Sequence, residues 1–208
     1  MKEKLLIYGA GGLGKEILSW VRRLEEFEPV GFMDDGIRKD TVIKGLKVLG
    51  GLEVLNSFGT PVNLVLALGD PSSKSILIKM IDAGRVYYPV LKHPSVILQE
   101  EATIKIGEGS IITAGCILTT DIRLGSHVLI NLNTTIGHDV EVGSCSSIMT
   151  GVNIAGGVRI GEGVLVGSGS NILNQLNIGD FSKVGMGSVV IRDVEVDTTV
   201  VGVPARKV

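Results

Sequence analysis

Aromatic residues make up only 4% of this 208-residue chain, against a hydrophobic fraction of 44%, so any core has to be aliphatic. Cysteine occurs twice, at Cys116 and Cys145. Two thiols with no CxxC spacing make no disulfide framework and read as reduced cysteines of a cytoplasmic chain. Neither sign of charge is in excess, with 20 Lys plus Arg against 22 Asp plus Glu. There is thus no basic surplus to grip nucleic acid or an anionic membrane. Histidine appears only at His93, His127 and His138, with no HxxxxH pair. A zinc site takes three or four well-placed ligands, so no metal is expected. No run approaches the ~20 consecutive apolar residues of a membrane span. The apolar stretch in MKEKLLIYGAGG breaks at Gly9 and reads as a strand, not a signal peptide.

What the chain has in quantity is glycine, 29 residues of it, which asks for many tight turns. The length allows one large or two small domains with a sizeable core, and the pattern of residues changes partway. In residues 1–91, strand and helix alternate. LLIYGA (5–10), PVGFMDD (29–35), VNLVLALGD (62–70) and VYYPVL (86–91) read as strands. GKEILSWVRRLEE (14–26) reads as a helix with Ile17, Val21 and Leu24 on one side, and SSKSILIKMIDAG (72–84) as a second helix closed by Gly84. That order predicts a small Rossmann-like, doubly wound α/β unit.

From residue 92 to 208 the period becomes six. Every sixth position from Ile106 to Val196 is aliphatic, sixteen in succession. The following position is often Gly, as at Gly107, Gly125, Gly137, Gly143 and Gly161, where it is expected to supply the freedom for a turn. Four places after the aliphatic comes a small or β-branched residue, such as Ser110, Cys116, Thr134 or Ser146. This is the hexapeptide repeat of a parallel β-helix, in which three strands and three turns make a coil of about 18 residues. Coils stack at strand spacing, about 4.8 Å. The aliphatics point inward, including Val196.

Within this repeat TTIGHDVEV (134–142) stands out, because it puts His138 and Asp139 side by side. His138 lies two places after inward Ile136, so the phase turns it outward. A solvated surface histidine is one reading and a general base is the other. The same corner one coil on is Gly156, which leaves room for a ligand and bares an N–H for an oxyanion. Asn131 and Asn133 stand just upstream and are expected to point into the same groove. The next corner column is Thr150, Ser168 and Met186, smooth enough for a long flexible ligand. Cys145 is expected to point outward.

GAGGLG (9–14) follows the first strand and opens the first helix, with Asp34 twenty residues past Gly14. That matches the GxGxxG pattern of dinucleotide sites. Its N–H groups at a helix N-terminus suit any diphosphate, so a nucleotide-sugar, NAD or a bare tight turn all remain open. Asp34, Asp35 and the LGD of 68–70 share the carboxyl edge where such ligands sit.

The order IYGAGGLGKE, DD strand end, LGD strand end, HPS linker, hexapeptide coils with an NxxxxxxHD element and a closing VVGVPARKV resembles the sialic acid O-acetyltransferase-like family of sugar acyltransferases. The resemblance covers essentially the whole chain. It implies a left-handed coil and a homotrimer with sites between neighbouring subunits. It also implies acetyl-CoA as co-substrate, with a nucleotide-linked 4-amino-4,6-dideoxy sugar held by Gly11, Gly12, Leu13, Asp34, Asp35 and Gly69. His138 would be the base, Asp139 would orient it, and Asn131 would lie by the acceptor sugar. Gly156 would offer the oxyanion N–H, with pantetheine along Thr150, Ser168 and Met186. Many relatives carry a second histidine against acetyl-CoA nine places after the first, where this chain has Ser147. O-acetylation of a sialic acid and a non-catalytic nucleotide-sugar-binding role are the alternatives.

Overall fold

The computed structural model describes residues 2–208. The chain folds as two compact units: residues up to Gly69 with Ser73–Pro89, and Asp70–Ser72 with Val90–Val208.

The first unit is an α/β sheet of six strands. Strands β1 (Glu3–Tyr8), β2 (Phe27–Met33), β3 (Val42–Ile43), β4 (Leu46–Gly50), β5 (Val62–Leu66) and β6 (Val86–Tyr87) lie in the order β3-β4-β2-β1-β5-β6. All neighbours are parallel except β3–β4, an antiparallel hairpin. Leu5, Leu6, Ile7 and Tyr8 are all buried, as a continuous apolar run in a central parallel strand requires. Helix α1 (Gly12–Val21) buries Ile17, Leu18 and Val21. It stops short of the expected residue 26, leaving Leu24 beyond its end.

Two local expectations are corrected, and one unassigned stretch gains structure. The hairpin and the short α2 (Leu52–Asn56) fill a stretch with no clear period in the sequence. Helix α3 (Pro71–Met80) ends before Gly84, whose N–H instead donates to Asp82 Oδ1 at 3.0 Å in a separate 3₁₀ turn. The strand expected at 86–91 divides, because Leu91–Lys92 pairs with Ile111–Ile112 as a rung of the second unit.

The second unit is a left-handed parallel β-helix. Two-residue strands stack into three sheets of eight, six and five strands. Each is named here by an outward residue. The Ser147 sheet runs Leu91, Ile111, Leu129, Ser147, Leu165, Lys183. The Asn153 sheet runs Ile97, Ile117, Thr135, Asn153, Asn171, Val189. The Arg123 sheet runs Lys105, Arg123, Glu141, Arg159, Asn177. Along each ladder most rungs are 18 residues apart, so coil length follows directly from the six-residue period. The sixfold aliphatics from Ile112 to Val190 are all buried and join one core cluster with Cys116, Val128 and Val152.

Val196 breaks the pattern at 61% exposed. Ile178 bridges Val194 instead, and Val184 pairs with Val200. The last coil is therefore two residues shorter, and the inward position moves from 196 to 194.

The turns also differ from expectation. Fourteen positions six apart, from Gly109 to Gly187, have φ between 54° and 75°. Half are not glycine, among them Asp121, His127, Asn133, Asp139 and Cys145. The left-handed position is thus three places after the aliphatic. The glycine directly after the aliphatic answers to close stacking instead. A Cβ on Gly143 would lie 2.4 Å from the Gly161 carbonyl carbon one coil on. That coil-to-coil approach explains its frequency without any need for positive φ.

Candidate active site

In the first unit, the glycine loop is shaped by close backbone approach. Gly9 has φ +100°, and a Cβ on Gly14 would sit 1.9 Å from the Gly9 carbonyl oxygen. Helix α1 therefore starts tight against β1. Gly11 is its N-cap with no side-chain cap, and a Cβ on Gly11, Gly12 or Gly69 would meet open space. The N–H groups of Gly12 and Leu13 open the helix at its positive end, an arrangement suited to a diphosphate.

Asp34 and Asp35 are held by the chain itself. Asp34 Oδ2 accepts from the Ala10 N–H and Oδ1 from the Gly36 N–H, both at 2.9 Å. Asp35 Oδ1 accepts from the Leu52 N–H at 2.8 Å, and Oδ2 accepts from the Tyr8 hydroxyl. Burial, then the Asp35 hydrogen bond, pushes the Tyr8 phenol well above its usual pKa, so it stays a neutral donor. Tyr8, Gly9, Asp34, Asp35, Leu52 and Leu68 are among the residues lining a pocket of about 440 Å³. Tyr8 was not singled out in the sequence. Its signal would have been a hydroxyl at the end of a buried strand.

In the second unit, His138, Asp139 and Gly156 line a groove of about 900 Å³. His138 Nδ1 and Asp139 Oδ2 are 2.7 Å apart. A carboxylate only accepts, so Nδ1 is the donor in this pair, and in a neutral imidazole Nε2 is then left with its lone pair. Asp139 itself sits at φ 57°, a left-handed corner that Asp tolerates better than most residues. Gly156 lies directly under the ring, where an added Cβ would come 2.4 Å from Nε2 and 2.6 Å from Cε1. Its carbonyl accepts from Gln175 N–H at 3.0 Å, while among the described residues no acceptor takes its own N–H. The Gly156 backbone and the His138 imidazole thus line the same groove. Arg123, Glu141 and Arg159 line the groove as well. Their spacing of 18 made that row readable in the sequence, though it was not singled out.

Gly156→Ala tests the stacking directly. Alanine keeps the N–H but pushes the imidazole aside. A misplacement of about 1 Å can cost about 10²-fold in rate. We expect kcat to fall by about that factor while the melting temperature stays put, read by steady-state kinetics beside circular dichroism.

The other expected residues do not join this groove within one chain. Asn131 is 7% exposed, its Oδ1 accepting from Thr113 Oγ1 at 3.3 Å and the Leu132 N–H at 2.8 Å. Asn133 stands at a left-handed corner over Gly115. Ser147 is fully buried. Thr150, Ser168 and Met186 form a separate corner column, joined by Gly169 N–H to Thr150 O at 2.9 Å and Gly187 N–H to Ser168 O at 2.8 Å. Met186 is 79% exposed at its end. Cys145, expected outward, is buried. Cys116 is buried too, and that burial raises its thiol pKa, which disfavours a thiolate nucleophile. Among the described residues no group of three His, Cys, Asp or Glu could hold a metal ion, and no helix is long and apolar enough to cross a membrane.

The chain thus carries a glycine loop on an α/β unit and a histidine groove on a hexapeptide prism. Residues 4–81 match the PglD N-terminal domain family. The whole chain superposes on the acetyltransferase domain of PglB from Neisseria gonorrhoeae with TM-score 0.91, 26% identity and 100% of both chains covered. That domain has also been solved in complex with acetyl coenzyme A. A histidine-to-asparagine variant of perosamine N-acetyltransferase from Caulobacter crescentus, in complex with CoA and GDP-perosamine, superposes with TM-score 0.90 and 26% identity, over 99% of this chain and 96% of that one. WeeI from Acinetobacter baumannii gives TM-score 0.88 and 29% identity over 100% of both chains. No curated protein matches the chain. The chain is thus similar over its whole length to these acetyltransferases.

Proposed function

We propose that this chain transfers the acetyl group of acetyl-CoA to the amino group of a nucleotide-linked 4-amino-4,6-dideoxy sugar. The observation that carries the reading is the stack of His138 Nε2 over Gly156, with Asp139 on Nδ1. The neutral amine attacks the thioester carbon while Nε2 accepts its proton. The Gly156 N–H donates to the oxyanion as it forms. Collapse expels CoA as the thiolate and leaves the amide. A direct transfer needs no acyl-enzyme, in keeping with two buried thiols. Residues 1–91 hold the nucleotide-sugar through Gly11, Gly12, Leu13 and Gly69, with the Tyr8–Asp35 pocket beside them. Residues 92–208 hold acetyl-CoA.

The assembly is a homotrimer in this reading. His138 and the Thr150–Ser168–Met186 column occupy different corners of one prism, so a ligand touching both spans two copies. The complexes of the Neisseria and Caulobacter proteins with acetyl-CoA, CoA and GDP-perosamine support the substrate classes.

The test is thiol release from acetyl-CoA against UDP-, GDP- and dTDP-linked 4-amino-4,6-dideoxy sugars, with free sialic acid alongside. Turnover on one amino sugar is expected. Turnover only on sialic acid would replace amine by hydroxyl acetylation. Silence with nucleotide-sugar binding intact would make the chain a binding partner without catalysis.

A further inference from the structure

We infer that Tyr8 is a positioning residue for nucleobase selection, acting through the Asp35 carboxylate, and that the base selected is guanine. The inference rests on the nucleotide-sugar reading above and names its nucleotide. Tyr8, Asp35 and Gly51 are far apart in the sequence, and the sheet brings them together. Tyr8 pairs with Met33, and Met33 with Gly50, at the ends of the parallel strands β1, β2 and β4. Open α/β sheets take ligands along that carboxyl edge.

The two acids at the end of β2 have different partners. Asp34 accepts from the Ala10 and Gly36 N–H groups, so it fastens the glycine loop. Asp35 is gripped from two other sides. The Tyr8 hydroxyl donates to its Oδ2, and the Leu52 N–H donates to its Oδ1 at 2.8 Å. Gly51 leaves room for this arrangement, since an added Cβ would lie 2.0 Å from Asp35 Oδ1 and 2.9 Å from its Cγ. Packing alone does not call for the phenol. The Tyr8 ring is in the core at 4% exposed, where phenylalanine would serve as well. What the hydroxyl adds is the hold on Asp35.

A carboxylate fixed by donors from its own chain is a preorganised acceptor, with lone pairs left over for a ligand. The walls around it describe the rest of that ligand. Ile76 and Met80, one turn apart on α3, line the same 440 Å³ pocket and stand 59% and 56% exposed. Large apolar side chains left open beside a fixed carboxylate suit a flat ring with donors on its edge.

The bases differ on that edge. Guanine presents the ring N1–H and the 2-amino group side by side, so both can donate to one carboxylate. Uracil and thymine set a single N–H between carbonyls, which an acceptor-only group repels. Cytosine and adenine put a bare ring nitrogen beside the amino group. A site built to hydrogen-bond its ligand rejects analogues that leave its polar groups unpaired.

The test is calorimetric binding of GDP, IDP, UDP and dTDP to the full-length protein and to Tyr8→Phe, with circular dichroism melting alongside. The parent is expected to bind GDP about 10-fold or more tighter than UDP or dTDP. IDP, which lacks the 2-amino group, is expected between them. Tyr8→Phe should lose most of the GDP preference with little change for UDP. Gly51→Ala displaces the same carboxylate from the other side and should do likewise, so the idea stays testable if Tyr8→Phe folds poorly. A parent that prefers UDP or dTDP, or shows no preference, overturns the guanine assignment and leaves the nucleotide-sugar reading standing. Equal losses for all four nucleotides, or a lower melting temperature with the preference intact, would make the Tyr8 hydroxyl structural only. A parent that binds none of them overturns the inference together with the nucleotide-sugar reading.

Discussion

Replacing His138 by alanine is expected to lower kcat by about 10²–10⁴, the usual contribution of a positioned general base. At 1.36 kcal/mol per decade this is roughly 3–5 kcal/mol of transition-state stabilisation. The fold should be nearly indifferent. The His138 side chain is 66% exposed, and its polar partner among the described residues is its neighbour Asp139 at 2.7 Å. Surface changes of this kind usually stay within about 0.5 kcal/mol. Steady-state thiol release, circular dichroism and native mass on the same preparation separate the two effects. A slow but folded trimer supports the base. A variant that unfolds, yet keeps the parent rate per folded molecule, would falsify it. Gly156→Ala is the companion measurement, because it displaces the ring without deleting it. If His138→Ala were slow and Gly156→Ala fully active, the imidazole would act somewhere other than over Gly156.

The prism was legible because its core obeys a strict arithmetic. Coils stack in register, so one inward aliphatic per six residues repeats without drift from Ile112 to Val190. The phase also told outward His138 from inward Ile136. Val196 escaped it because a coil can lose two residues in a turn and still pair, as Val184 does with Val200, and sequence spacing does not show where the turn shortens. The left-handed column escaped for another reason. Glycine alone advertises positive φ, and here Asp, Asn, His, Cys, Gln and Phe share the position. Asp139 was read purely as a partner of His138, yet its backbone conformation also favours Asp there.

The α/β unit was less legible. The β3–β4 hairpin is short and only half-buried, so it carries no strong period, and the Tyr8–Asp35 contact joins residues 27 apart that only the pairing of β1 with β2 brings together. In the proposed homotrimer, the corner that would face His138 is hidden from the sequence for a geometric reason. Residues on one corner column share a spacing of 18, whereas the relation between two columns depends on how whole copies pack.

The largest stability effect follows from the same arithmetic, at Ile136. It is 1% exposed and stacks in register between Leu118 and Ile154 inside the prism. Truncation to alanine removes three buried carbons, and each coil is braced by hydrogen bonds to the next, so the walls collapse only partly onto the gap. Ile→Ala in such a core costs about 2–5 kcal/mol. Val196 is the matched control, because it keeps the sixfold spacing but stands 61% exposed. Val196→Ala should stay within about 0.5 kcal/mol. Denaturant unfolding followed by circular dichroism compares the two, and the midpoint shift should be large for Ile136 and small for Val196. Similar losses at both positions would mean that the coil at Val196 continues the 18-residue register, and that the two-residue shortening between Val190 and Val194 is wrong. A small loss at Ile136 would mean that the coils close around the vacancy, which the tight approach of Gly137 to the Gly156 backbone, 2.8 Å from an added Cβ to the amide nitrogen, argues against. Because Ile136 is only two residues from His138, the same variant also shows how far the base depends on its strand. A destabilised but active enzyme would place the catalytic geometry in the corner itself, held by Asp139 N–H to Thr120 O at 3.2 Å and Gly157 N–H to His138 O at 2.8 Å.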